Sequence, residues 1–140
     1  MNTDNYIDKL RGCVLENPGS RLSLALAEEL RKRDESEEAV NVLRNGIENN
    51  PSFAAARLTL GRWLLKDNKL REAREEFSAV LDVVPSDSFA SRYIGEIDMQ
   101  LEGELGDARL RTVGRLNEFL EAVRKKFPAG ASGDAAEGDR

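Results

Sequence analysis

The sequence contains no histidine and a single cysteine, Cys13. An intrachain disulfide therefore cannot form, and the usual set of zinc ligands is missing. The side chain that most often acts as a base near neutral pH is also absent, so Cys13 has no imidazole to activate its thiol. We therefore expect a protein that is not an enzyme, that needs no cofactor and no metal, and in which Cys13 packs on the apolar side of its helix.

Long apolar runs and a basic balance are missing as well. No segment approaches the length of a membrane span, and residues 1–5 lack the basic and apolar regions of a secretory signal. Charged residues make up 34% of the chain and the formal net charge is −5, which disfavours nucleic acid and anionic membranes as partners. These features predict a cytoplasmic protein with no membrane insertion and no nucleic-acid partner.

The chain does contain an internal repeat with a period of 34 residues. The matching positions are Leu26 and Leu60, Ala27 and Gly61, Leu30 and Leu64, Ala39 and Ala73, Leu43 and Phe77, and Pro51 and Pro85. A period of this size, with small residues inside and a proline at the end, is typical of a solenoid of helix pairs. The pattern resembles the tetratricopeptide repeat (TPR) family, whose signature is Leu-Gly-x2-Tyr, then Ala-x3-Phe, then Pro. The resemblance implies an all-α, right-handed solenoid of antiparallel helix pairs, which we name helix A and helix B.

The repeat pattern predicts the organisation of the chain up to residue 127. The expected segments are a half repeat at 4–18, full repeats at 20–51 and 52–85, and a third helix A at 86–101. The signature then fails, because Asp98, Asp107 and Arg111 occupy the next apolar positions. We expect a loop bracketed by Gly103 and Gly106, then a long capping helix at 107–127 and a disordered tail at 128–140.

The predicted last helix has an apolar stripe along one side. Its members are Leu110, Val113, Leu116, Leu120, Val123 and Phe127. From Val113 onwards they are spaced alternately by three and four residues, as in the seam of a coiled coil. Two uses remain open: the stripe closes the end of the solenoid as a cap, or it joins two copies and makes the protein an assembly or scaffold subunit.

The resemblance also implies a binding surface. In the family, residues at fixed positions of helix A face the concave groove and contact ligands. The corresponding residues here are Arg21, Leu24, Glu28, Arg31, Leu58, Arg62, Leu65, Lys66, Phe89, Arg92, Tyr93 and Glu96. Cations outnumber acids in this set, although the chain as a whole is acidic.

A cationic groove with apolar contacts suits a peptide or partner protein that carries carboxylates, and it predicts a non-catalytic adaptor. The alternative is that the long basic side chains only cover their own helices. Chaperone-binding members hold a C-terminal carboxylate with a clamp of lysine and asparagine. The clamp positions in this sequence are occupied by Leu24, Glu28, Thr59, Phe89 and Tyr93, so the resemblance does not extend to that clamp.

Overall fold

The computed structural model describes residues 2–128, and over this range the chain forms six α-helices and no strand. The helices are α1 (Thr3–Glu16), α2 (Leu22–Lys32), α3 (Ser36–Asn49), α4 (Ala54–Lys66), α5 (Leu70–Val83) and α6 (Ser88–Lys126). The chain divides into two units, one up to Asp98 and the other from Met99 onwards. The predicted all-α class is confirmed. Apart from Pro128, the predicted tail lies outside the described residues.

The turns within the two full repeats are the same. Asp34 and Asn68, which are 34 residues apart, both adopt a left-handed backbone, with φ of 62° and 59°. After each turn residue, a backbone N–H reaches back five positions into the helix: Glu35 donates to Leu30 at 3.0 Å, and Lys69 makes the equivalent bond at 2.9 Å. Such bonds satisfy the free carbonyls of a helix end. Aspartate and asparagine tolerate this backbone conformation better than other non-glycine residues.

Small residues allow the two helices of each pair to approach closely. Ala27 and Ala39 are fully buried between α2 and α3, and Ala73 is fully buried between α4 and α5. At Gly61 the fit is tighter still, because an added Cβ would lie 2.9 Å from the ring of the buried Phe77. The positions that the repeat pattern assigned to the crossing therefore lie in the core.

The predicted break between the third helix A and the last helix does not occur. α6 runs without interruption from Ser88 to Lys126, so the predicted ends at 101 and 107 and the loop between Gly103 and Gly106 are wrong. The repeat position that holds Asp34 and Asn68 is occupied by Glu102. Glutamate favours the helix and has no special tolerance for a left-handed backbone.

The residues after that missing turn also oppose a helix B. Asp107 and Arg111 replace the alanine and the large apolar residue that would pack against helix A. Since folding back would bury polar side chains without partners, continuation of the helix is favoured. Gly103 and Gly106 are helical, and a Cβ at either position would meet open space.

One expectation about burial differs from the structure, because Cys13 is exposed. All six residues of the apolar stripe, Leu110 to Phe127, are exposed as well. The buried side of α1 consists of Ile7, Leu10 and Val14, and Cys13 lies beside this line of residues rather than on it.

Candidate partner-binding groove

Four of the predicted groove residues come together in one cleft of the first unit. The cleft has a volume of about 290 Å³ and is lined by Leu58 and Arg62 from α4 and by Phe89 and Tyr93 from α6. In each helix the two residues are four positions apart, which puts them on the same face. Leu58 and Tyr93 are half-buried, whereas Arg62 and Phe89 are exposed. The cleft therefore has an apolar floor and a charged rim.

The aromatic side of the cleft is held in place by the core. The ring of Tyr93 stacks on that of Phe77, with centroids 4.8 Å apart and an angle of 12° between the planes. Phe77 is fully buried, so it gives Tyr93 a fixed support. The start of α6 is fixed by Asp87, whose Oδ1 accepts a hydrogen bond from the backbone N–H of Ala90 at 2.8 Å, which is a typical N-cap.

Arg92 lies beside the two aromatic rings of the cleft. Its guanidinium carbon is 5.5 Å from the ring centroid of Phe89 and 5.4 Å from that of Tyr93, which is within the range of a cation–π interaction. Arg92 also approaches Glu96, with 3.8 Å between Nε and Oε1. Both members of this ion pair are exposed, so the pair is weak and the arginine charge stays accessible to a ligand.

Other predicted groove residues lie outside this cleft. Arg21 and Leu24 line a second cleft of about 350 Å³, together with residues 52–55. The guanidinium of Arg31 lies 4.5 Å from the ring centroid of Trp63, which is a core residue only 8% exposed. The predicted set is therefore not gathered in one site: six members line two separate clefts, and Arg31 contacts Trp63.

The last four members of the predicted set line neither cleft. Glu28, Lys66 and Glu96 are exposed, and Leu65 is half-buried. Glu96 acts on the first cleft only through its contact with Arg92.

About half of the cations of the first unit have an acidic partner, and several of these pairs join different helices. The pairs between helices are Arg11–Glu38 at 3.0 Å, Arg44–Glu72 at 3.3 Å, Arg57–Glu76 at 3.1 Å and Arg74–Asp98 at 2.6 Å. The hydrogen bond from Arg74 lowers the pKa of Asp98 and raises that of Arg74. Lys32 is held by Glu29 at 2.7 Å, and this bond raises the pKa of the lysine.

Arg62, at the rim of the first cleft, is one of the unpaired cations. Within residues 2–128, neither Arg62 nor Lys66, one turn further along α4, forms an ion pair. Both side chains are exposed. Their charges are therefore available to an anionic partner.

Sequence reasoning missed one cleft. It has a volume of about 440 Å³ and lies among α1, α2 and α3, where apolar side chains such as Val14, Leu26 and Val42 line it. The only signal for it is Leu15, an 82% exposed leucine next to the buried side of α1. No cluster of metal-ligating side chains occurs in the described part of the chain, nor does any helix there have the length and apolarity to cross a membrane.

Residues 24–88 match a family model described as tetratricopeptide repeat. One similar solved structure is the first TPR of Spaghetti (RPAP3) bound to the HSP90 peptide SRMEEVD, with a TM-score of 0.61 and 21% identity over 71% of this chain and 80% of that one. A crystal structure of MamA protein has a TM-score of 0.61 and 22% identity, over 90% of this chain and 68% of that one. No curated protein matches the sequence.

Helix pairs that repeat every 34 residues, with a buried small residue at each crossing, define an α-solenoid. Proteins of this class are generally non-catalytic modules for protein–protein interaction. The matched family model identifies the repeats, and the similar structures share their fold. Residues 24–88 thus match the tetratricopeptide repeat family, in agreement with the resemblance seen in the sequence.

Proposed function

We propose that the cleft between α4 and α6 binds an acidic segment of a partner protein and that the chain acts as an adaptor. The observation that supports this most directly is the charge at the rim of the cleft. Arg62 lies there with no acidic partner among the described residues. Its side chain is exposed, so its charge is accessible to a ligand.

The chemistry of the cleft determines what kind of segment it fits. Guanidinium groups bind carboxylates through two parallel hydrogen bonds, and Arg62 and Arg92 both offer such a group. A leucine or aromatic side chain of the partner would be buried against Leu58 and Phe89 and would supply the apolar part of the affinity. The best ligand therefore has one large apolar residue flanked by aspartate or glutamate.

The similar structure of the first TPR of Spaghetti contains the acidic peptide SRMEEVD. An acidic ligand on a similar fold supports the proposal. The clamp positions for a C-terminal carboxylate, however, hold Leu24, Glu28 and Thr59 among others in this chain. We therefore propose that acidic side chains within the segment are recognised, rather than a free chain end. The proposed site of action is the cytoplasm, as the sequence analysis predicts.

The test uses labelled peptides with amidated ends, in which glutamate and aspartate flank one leucine or phenylalanine, and fluorescence polarisation as the readout. The acidic peptides should bind, and analogues with glutamine and asparagine should not. Arg62→Glu should weaken binding by about tenfold or more, because attraction becomes repulsion at the rim. Binding should also weaken as salt is added.

The matched control is Arg71→Glu. Arg71 is exposed on α5 and lines neither groove cleft, so the same change of charge is made away from the proposed site. This variant should bind like the wild type. Equal losses from Arg62→Glu and Arg71→Glu, in proteins with unchanged circular dichroism, would place the binding site elsewhere. Equal binding of the neutral analogues would contradict recognition of carboxylates.

A further inference from the structure

The part of α6 in the second unit carries most of the exposed large apolar side chains of the described chain. Leu116 is 54% exposed and Phe127 is 70% exposed, and the other stripe residues are exposed as well. A contiguous apolar surface on a soluble protein marks a site of association. The alternating spacing of three and four residues from Val113 to Phe127 is that of a seam that packs against another helix.

The distribution of charge along α6 indicates which partner helix would pack against the seam. The segment before the stripe is acidic, with Glu102, Glu104 and Asp107, and the helix ends on the basic residues Arg124, Lys125 and Lys126. Two copies in parallel would bring like charges together at both ends. Two antiparallel copies would place the acidic end of each beside the basic end of the other. The helix is thus complementary to itself in the antiparallel direction.

Pairing about the centre of this charge pattern brings together the apolar residues in the middle of the seam. The midpoint between the acidic and basic ends lies near Arg115. Antiparallel pairing about that point places Val113 beside Leu116 of the second copy, and Val123 beside Gly106, where a Cβ would meet open space in the single chain. It also places Leu120 beside Arg109 and Phe127 beside Glu102, so the apolar contact is concentrated between Val113 and Leu116.

We propose that the occupant of this seam is a second copy of the chain and that the protein forms an antiparallel homodimer through residues 102–127. The seam lies beyond the residues of both groove clefts in the sequence. The proposal of a dimer is therefore independent of the proposal that the groove binds a peptide.

Sedimentation equilibrium of the full chain tests the association. The wild type should show twice the mass of the monomer. Leu116→Asp should raise the dissociation constant by about a hundredfold or more, because it buries an unpaired carboxylate twice in each dimer. Ala122→Asp is the matched control, since it adds the same charge to the same helix on an exposed residue outside the stripe, and it should leave the dimer intact.

A wild type that is a monomer at every concentration would overturn the proposal. A dimer that survives Leu116→Asp, or one that Ala122→Asp disrupts equally, would overturn it as well. Circular dichroism of both variants would show that the helices are retained, because the substituted positions are exposed in the single chain.

Disulfide trapping tests the direction of pairing. In a Cys13→Ser background, one chain carries Gly103→Cys and the other carries Arg124→Cys. These positions lie on the same flank of the seam and near opposite ends of the helix, so antiparallel pairing brings Gly103 of one copy close to Arg124 of the other. Oxidation of the mixture should link the two different chains, whereas each chain alone should link poorly. Efficient linking of each chain to itself would indicate parallel pairing and contradict the proposed arrangement.

Discussion

Replacing Gly61 by alanine tests the tightest contact in the core. The new Cβ would lie 2.9 Å from Cε1 and Cζ of Phe77. Phe77 is fully buried and stacks on Tyr93, so its ring cannot move away without disturbing that contact. Overpacking of this kind costs about 1–3 kcal/mol, whereas alanine gains up to about 1 kcal/mol over glycine in a helix. We expect a net loss of stability of about 1 kcal/mol, and a larger loss for Gly61→Leu.

The first repeat provides the compensating change. Its equivalent of the Gly61–Phe77 pair is Ala27 with Leu43, and both of these residues are fully buried. Phe77→Leu alone should cost about 1–2 kcal/mol, because it removes ring contacts and leaves a cavity. In the double variant Gly61→Ala/Phe77→Leu, the methyl group occupies part of that cavity. The two substitutions should therefore be coupled favourably by at least about 1 kcal/mol.

Urea unfolding of the four proteins, followed by far-ultraviolet circular dichroism, measures this coupling. The double variant should be more stable than the sum of the single effects predicts. Additivity within about 0.5 kcal/mol would show that Gly61 and Phe77 do not compete for the same space. A Gly61→Ala variant that is more stable than the wild type would also refute the reasoning. It would show that the higher helix propensity of alanine outweighs any overpacking against Phe77.

Two further predictions concern stability. Asp34→Gly and Asn68→Gly should each raise the free energy of unfolding by about 0.5–1 kcal/mol, because glycine adopts the left-handed backbone without strain; alanine at either position should lower the thermal midpoint instead. The hydrogen bond from Arg74 lowers the pKa of Asp98 from its ordinary value of 3.8, so its contribution is present above that value and is lost as the pH falls through the lowered pKa. Asp98→Asn should remove this pH-dependent part of the stability, so its thermal midpoint should fall less steeply than that of the wild type between about pH 5 and pH 2. Equal slopes for the two proteins would show that the pair contributes nothing to stability.

The sequence was informative wherever one residue type has one structural consequence. A buried small residue such as Ala27 or Gly61 is required for two helices to cross closely, so the 34-residue pattern predicted α2 to α5. The resemblance to the repeat family implied Leu58, Arg62, Phe89 and Tyr93 as groove residues, and these four line one cleft. The spacing of four within each helix explains why each pair lies on one face.

The sequence was less informative where the outcome depends on the balance between neighbours. A repeat signature indicates where helix pairs occur, but it does not say what the chain does when the signature stops. α6 continues through Glu102, where glutamate replaces the residues that form the left-handed turns at Asp34 and Asn68. Similarly, the contact of Arg31 with Trp63 joins two repeats, and its formation depends on the packing of both rather than on either motif.

The two proposed surfaces should respond differently to the solvent, because they rely on different forces. In the groove, Arg62 and Arg92 lie at an exposed rim, where charge attraction is strong at low salt and screened at high salt. In the seam, Leu116, Leu120 and Val123 would be removed from water, and burial of apolar surface does not weaken as ionic strength rises. Added salt should therefore release an acidic peptide while most of the dimer remains, because the charged ends of α6 mainly determine the direction of pairing. If the peptide and the second copy dissociated over the same range of salt concentration, this difference between the two surfaces would be contradicted.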